Sequence, residues 1–109
     1  MVEIKYDQQN HRVTVTGHAG SGQKGHDLVC ASVTTLVLTL AQDIEDLIQR
    51  GAAADPVVDI QEGHAELACT AMAGWDAVVQ LVFDTLCAGF HGLSEAQPEH
   101  VRYGLEIEK

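Results

Sequence analysis

Residues 17–50 read GHAGSGQKGHDLVCASVTTLVLTLAQDIEDLIQR, a glycine-rich segment followed by a long apolar pattern. Apolar residues separated by three or four positions predict an amphipathic helix over 28–50. Asp27 is a suitable N-cap for this helix, and Gly51 is a suitable stop signal. The predicted apolar stripe contains Val29, Val33, Leu36, Val37, Leu40, Ile44, Leu47 and Ile48. A helix of this length needs a matching apolar surface, which the rest of the chain must supply.

The segments on either side of this helix predict that surface. Alternating apolar and polar residues predict five strands, at 2–6, 12–16, 57–61, 64–70 and 101–107. A second amphipathic helix is predicted over 75–90, with Trp75, Val78, Val79, Val82, Leu86 and Phe90 as its core stripe. The element order is then β-β-α-β-β-α-β. It predicts a single domain over 1–109, a two-layer α+β fold with both helices on one face of a mixed sheet of about five strands.

Composition restricts the class of protein. The net charge of −10 disfavours direct binding to nucleic acid and favours basic partners. The chain has no run of eighteen apolar residues, so no membrane span is expected. Its start carries Glu3 and alternates like a strand, unlike a signal peptide, and the cysteine pattern favours a reducing cytoplasm. Its three cysteines are an odd number without C-x-x-C spacing, which argues against disulfides or structural zinc. Cys69 and Cys87 fall on apolar faces and are expected in the core.

The third cysteine lies in a different context, which predicts a thiol site. Cys30 occupies the third position of the predicted helix, where unpaired N–H groups and the helix dipole stabilise a thiolate. His18 is the candidate base, and Gly17 allows the backbone to bend there. Asp27 would fix the helix start or orient His18, although its charge opposes a thiolate. Thr34 lies one turn beyond Cys30 on the same side of the helix.

Residues 19–26 separate the candidate base from the candidate nucleophile. Gly20, Gly22 and Gly25 allow this loop to move, so we interpret it as a gate over a peptide site. It matches neither phosphate-binding glycine pattern. A metal site from His18, His26 and Cys30 would lack a fourth ligand, and no metal or other cofactor is expected. The residues alone also leave open a redox-sensing thiol and a non-catalytic module that binds a basic peptide.

The segment GHAGSGQKGHDLVCASVTTL resembles the signature of the ribosomal-processing cysteine protease family, Prp. That signature is roughly G-H-A, a glycine-rich spacer, then G-x-D-[IL]-V-C-A-A-[VI]-S. The match includes Gly17, His18, Asp27 and Cys30, with the spacing from histidine to cysteine intact. Ser32 stands where alanine is usual and Thr34 where serine is usual.

The resemblance implies a cysteine endopeptidase in which Cys30 is the nucleophile and His18 the base. It implies a substrate as well: the basic N-terminal extension of a large-subunit ribosomal protein, cut once after an aromatic residue. It further implies a homodimer. Leu38 points away from the predicted core stripe and is a candidate for a subunit contact.

Overall fold

The computed structural model describes residues 1–17 and 28–106. Its elements, in chain order, are β1 (Val2–Asp7), β2 (Arg12–Gly17), α1 (Leu28–Gln49), β3 (Ala53–Gln61), β4 (His64–Ala71), α2 (Asp76–Ala96) and β5 (Val101–Leu105). The predicted element order, the two helices and the number of strands are confirmed.

The five strands form one mixed sheet in the order β3-β4-β2-β1-β5. Neighbouring pairs are antiparallel except β1 and β5, which run parallel. The parallel pair follows from the crossover through α1, β3, β4 and α2, which returns the chain to the far side of β1.

Cross-strand register divides the sheet into an apolar and a polar face. One row on the apolar face contains Ile60, Ala65, Val15, Ile4 and Tyr103, and the next contains Val58, Leu67, Val13, Tyr6 and Leu105. The opposite face carries ion pairs, such as Arg12 with Glu66 and Arg102 with Glu3. Because alternate residues of a strand point to opposite faces, both helices must pack on the apolar one.

α1 and α2 lie side by side on the apolar face. A Cβ atom added to Gly89 of α2 would lie only 2.9 Å from Leu36 Cδ2 of α1, so the helices approach closely there. Val33, Val37, Leu40, Ile44 and Leu47 of α1 are buried, as its predicted stripe requires.

The predicted core stripe of α2 was partly wrong. Val79, Leu86 and Phe90 are buried as expected, but Trp75 is 38% exposed and Val78 is 43% exposed. The buried face is completed by Cys87, as expected, and by Phe83, which the predicted stripe left out. Apolar residues surround much of this helix, so periodicity alone did not identify the side that faces the sheet.

Three boundaries differ from prediction by more than one residue. α2 continues to Ala96 because the exposed pair His91–Gly92 does not interrupt it. β3 begins at Ala53, and a register shift between Ala54 and Val57 lets it continue through a stretch predicted as a linker. β5 ends at Leu105, and the last predicted strand position lies outside the described residues.

Both helices satisfy length and hydropathy criteria for a membrane span. This is weak evidence, because core helices of soluble proteins satisfy the same criteria. Only 22% of the apolar window of α1 and 28% of that of α2 is buried. Among the described residues, the large apolar side chains exposed on the two helices are Leu28, Leu38, Val78 and Leu81.

Candidate active site

The start of α1 and the end of β2 lie at the same end of the sheet. At the opposite end, Ala52 N–H donates to Leu47 O at 2.9 Å, and Met72 N–H donates to Ala52 O at 2.9 Å. These bonds place the last turn of α1 beside the start of β3. The helix has 22 residues and is about 33 Å long. Its first turn therefore lies towards the other end, where Gly17 N–H donates to Gly63 O at 2.9 Å.

Cys30 is the third residue of α1 and lies at the margin of the core. Its side chain is half-buried and packs against the core cluster. The first-turn amide groups of a helix lack intrahelical acceptors, so Cys30 lies at the end of α1 where backbone N–H groups are not paired within the helix. Packing against the core holds the Cys30 side chain, which remains partly exposed.

The two positions that depart from the family signature differ in surroundings. The Ser32 hydroxyl donates to Leu28 O at 2.8 Å, one turn back in the same helix. That bond engages the hydroxyl with the backbone of the first turn. Thr34 is exposed, one turn beyond Cys30 on the same side of α1. A side chain there can contact a peptide bound at Cys30.

Gly17 ends β2 with a conformation that other residues rarely adopt. Its φ is +95°, and an added Cβ would lie 2.2 Å from the main-chain oxygen of Met1. A positive φ is readily adopted only by glycine, and the contact leaves no room for a side chain at this position. Gly17 is the last described residue before His18.

The other two cysteines differ from Cys30, as predicted. Cys69 and Cys87 are buried, and none of the three cysteines is in a disulfide. Burial raises the pKa of Cys69 to about 11. Burial likewise raises the pKa of Cys87 to about 12, although a hydrogen bond with Tyr103 opposes the increase. Neither thiol is suited to nucleophilic chemistry near neutral pH.

The remaining predicted site residues lie outside the described part of the chain. They are His18, Gly20, Gly22, Gly25, His26 and Asp27. Of the predicted set, the structure brings Cys30, Thr34 and Gly17 to one end of the molecule. In residues 1–17 and 28–106, no three histidine, cysteine or acidic side chains are grouped to hold a metal ion.

Sequence reasoning missed a polar network at the opposite end. Tyr6 Oη donates to Asp84 Oδ1 at 2.7 Å, and Gln80 Nε2 donates to the same oxygen at 2.8 Å. Burial favours the neutral acid, but hydrogen bonds from Tyr6, Gln80 and Gln8 outweigh it and lower the pKa of Asp84. The network joins β1 to α2 across 78 positions, a separation that no local sequence signal reveals.

Comparisons with known proteins show the family and the fold. A family profile described as cysteine protease Prp matches residues 1–102. The crystal structure of an essential ribosomal processing protease Prp from S. aureus, in complex with a covalently linked product peptide, superposes with a TM-score of 0.71. It is 21% identical, over 96% of this chain and 97% of that one.

A second neighbour is SMU.848 from Streptococcus mutans, at 27% identity and a TM-score of 0.67, over 98% of this chain and 93% of that one. The S. aureus protease in complex with a substrate peptide has 20% identity and a TM-score of 0.67, over 96% and 97% of the two chains. No curated protein matches the sequence significantly.

The fold, the thiol at a helix start and the extent of the profile match define a cysteine protease. The chain belongs to the family of the cysteine protease Prp.

Proposed function

We propose that this protein is the endopeptidase that removes the N-terminal extension of a large-subunit ribosomal protein. The observation that carries the proposal is the position of Cys30, a half-buried thiol in the first turn of α1. It lies at the end of the sheet where β2 leads directly into His18. The S. aureus Prp structures, described as those of a ribosomal processing protease, support this substrate class.

In the proposed mechanism, His18 removes the Cys30 proton, and the thiolate attacks the carbonyl carbon of the scissile bond. A C–S bond forms, and first-turn amides of α1 stabilise the oxyanion. When the C–N bond breaks, the histidine gives its proton to the departing amine. Water then hydrolyses the thioester and regenerates the thiol. Asp27 positions the helix start or the histidine, and Thr34 contacts the bound peptide.

The charge of the protein supports a basic substrate. The chain carries 16 acidic and 6 basic residues. Extensions of ribosomal proteins are part of basic chains, so long-range attraction would raise their association rate. On the same proposal, Gly20, Gly22 and Gly25 let the 19–26 loop open for the peptide and close around it.

The experiment that tests the function is cleavage of the matching ribosomal-protein extension, followed by mass spectrometry. Wild-type protein should cut once, whereas Cys30→Ser and His18→Ala should each abolish turnover with the fold retained by circular dichroism. Retained turnover in Cys30→Ser would exclude the covalent mechanism. No cleavage by wild type, together with tight peptide binding, would instead favour the non-catalytic binding module. Reversible sulfenic acid formation at Cys30 without cleavage would favour the redox thiol.

We also propose a homodimer in which the outer surface of α2 forms the interface. Trp75, Val78 and Leu81 are 38%, 43% and 66% exposed and follow one another at helical spacing. An exposed stripe with a tryptophan at one end is typical of a protein interface. Leu38, the contact predicted from sequence, is 54% exposed but lies on the side of α1 that faces β3. The α2 stripe is therefore the better candidate for the subunit contact.

A further inference from the structure

A groove runs between α1 and the edge strand β3. Its volume is about 550 Å³, and it is lined mainly by apolar side chains, among them Leu38, Ala41, Ile48, Pro56 and Val58. The sheet is wider than the helix layer here, so Val58 remains 47% exposed, and Ile60 beyond it 42% exposed, on the helix-side face. The groove therefore has a sheet floor and a helix wall.

Helical periodicity connects this groove to the proposed nucleophile. Cys30, Thr34, Leu38, Ala41 and Ile48 are separated by three, four or seven positions, which places them on one side of α1. The pair Cys30 and Thr34 therefore differs from the groove residues of α1 only in position along the helix axis. Leu38 lies about 12 Å beyond Cys30 along the axis, and Ile48 lies about 27 Å beyond it.

The occupant of such a groove must be elongated. About 12 Å corresponds to roughly four residues of extended chain, and about 27 Å to roughly eight. Within the described residues, β3 pairs on one side only, with β4. Its outer edge from Val57 to Gln61 thus offers backbone groups to an added extended segment. The bulge near Pro56 limits that edge on the side away from Cys30.

Charge selects between two possible occupants. The groove's described lining includes one charged side chain, Glu45, and no lysine or arginine. A second copy of this chain, with net charge −10, would bring a second Glu45 to the same contact under two-fold symmetry. A peptide with apolar side chains and a positive charge fits both the floor and Glu45.

We propose that this groove is a distal substrate subsite, which binds the residues of an extended peptide about four to eight positions from the scissile bond. The subsite takes apolar side chains on Leu38, Ile48 and Val58 and a lysine or arginine at Glu45. The proposal rests on the proposed function, because it assigns the groove to peptides cut at Cys30. It makes recognition depend on peptide length as well as on the residues beside the cut.

The test compares two sets of fluorogenic peptides that contain the same scissile bond. The short peptides have three residues on each side of the scissile bond. The long peptides have eight residues on both sides, or eight on one side and three on the other. Val58→Lys should raise KM about tenfold for the long peptides whose extension reaches the groove. An apolar contact is lost, and a charge that repels a basic peptide is added. The kcat of this variant, and all constants for the short peptide, should stay unchanged. Leu105→Lys is the matched control, since Leu105 is 53% exposed at the opposite end of the same cross-strand row.

A charge exchange tests the second contact. Glu45→Lys should weaken cleavage of a long peptide that contains lysine, and replacing that lysine with glutamate should restore it. Equal effects of Val58→Lys on long and short peptides would overturn the proposal, as would equal effects of Val58→Lys and Leu105→Lys. A change in sedimentation of Val58→Lys without a change in KM would assign the groove to a second copy.

A failure of the subsite proposal can be distinguished from a failure of the proposed protease function. If wild type cuts neither peptide set, fluorescence anisotropy of the labelled long peptide still measures binding to the groove. Binding that Val58→Lys weakens and Leu105→Lys does not would retain the subsite while rejecting the protease assignment. Binding that both variants leave unchanged would reject the subsite.

Discussion

Gly17 and Met1 approach so closely that a Cβ atom on the glycine would lie 2.2 Å from the methionine main-chain oxygen. Val2 and Gly17 are paired residues of β1 and β2, so this contact fixes the corner where β2 ends. The chain passes from that corner into His18. This backbone contact, at the end of two inner strands, thus fixes the residue that directly precedes the proposed base.

Gly17→Ala should therefore lower the free energy of unfolding by about 2 kcal/mol or more, through strain at positive φ and a backbone clash. Urea unfolding measures the change. Gly51→Ala is the control, because Gly51 has a φ of +75° but nothing within 4 Å of an added Cβ. It should cost about 1 kcal/mol. Equal costs at the two positions would show that the contact with Met1 has no energetic consequence.

The three thiols should react at different rates. Cys30 is half-buried in the first turn of α1, whereas burial raises the pKa of Cys69 to about 11 and that of Cys87 to about 12. Because the thiolate is the reacting species, iodoacetamide near neutral pH should label Cys30 first. Peptide mapping by mass spectrometry gives the order. Faster labelling of either buried cysteine would contradict the assignment of Cys30 as the nucleophile.

Thr34→Ala should affect turnover less than Cys30→Ser. The threonine is exposed one turn from the thiol, so it can position a peptide but cannot supply the covalent step. We expect a higher KM with kcat within about threefold of wild type. Thr39→Ala, farther along the exposed surface of α1, is the control and should change neither constant. A loss as complete as that of Cys30→Ser would make the hydroxyl part of the chemistry.

The bond from Tyr6 to Asp84 should make stability depend on pH. The folded pKa of Asp84 is lowered, so its contribution is present above the unfolded pKa of about 3.9 and is lost as pH falls through the folded value. Tyr6→Phe should cost about 1 kcal/mol at neutral pH. That difference from wild type should shrink below about pH 4.

Tyr103→Phe is the control for this pH effect, because the Tyr103 hydroxyl shares its hydrogen bond with the Cys87 thiol and interacts with Asp84 only electrostatically. Its cost should change less than that of Tyr6→Phe between neutral and acidic pH. A constant cost of Tyr6→Phe across the same range would mean that the ionised form of Asp84 contributes nothing to the bond.

Leu81→Glu should weaken the proposed dimer at least about tenfold, because a charge would have to be buried in an apolar contact. Leu81 is 66% exposed in the described chain, so folding itself should be unaffected. Sedimentation velocity over a concentration series measures the change. Leu105→Glu, on the edge strand β5, should leave association unchanged. Dissociation by Leu105→Glu but not by Leu81→Glu would move the interface to the β5 edge.

Local sequence patterns were enough to predict the element order, the stripe of α1, the burial of Cys69 and Cys87, and the position of Cys30 at a helix start. These features depend on local periodicity and on residues close in sequence, which one chain makes visible. The protease class was also evident from the local motif around Cys30.

Tertiary structure alone decided the strand order, the buried side of α2, the Tyr6–Asp84 bond and the groove beside β3. Each depends on contacts between residues that are distant in sequence, or on which apolar side of α2 packs against the sheet. Trp75 and Phe83 show the difference: both are large and apolar, and only packing against the sheet buries Phe83 while Trp75 stays 38% exposed. The width of the sheet limits how much helix surface it can bury. That width depends on how many strands pair, which no single segment of the sequence reveals.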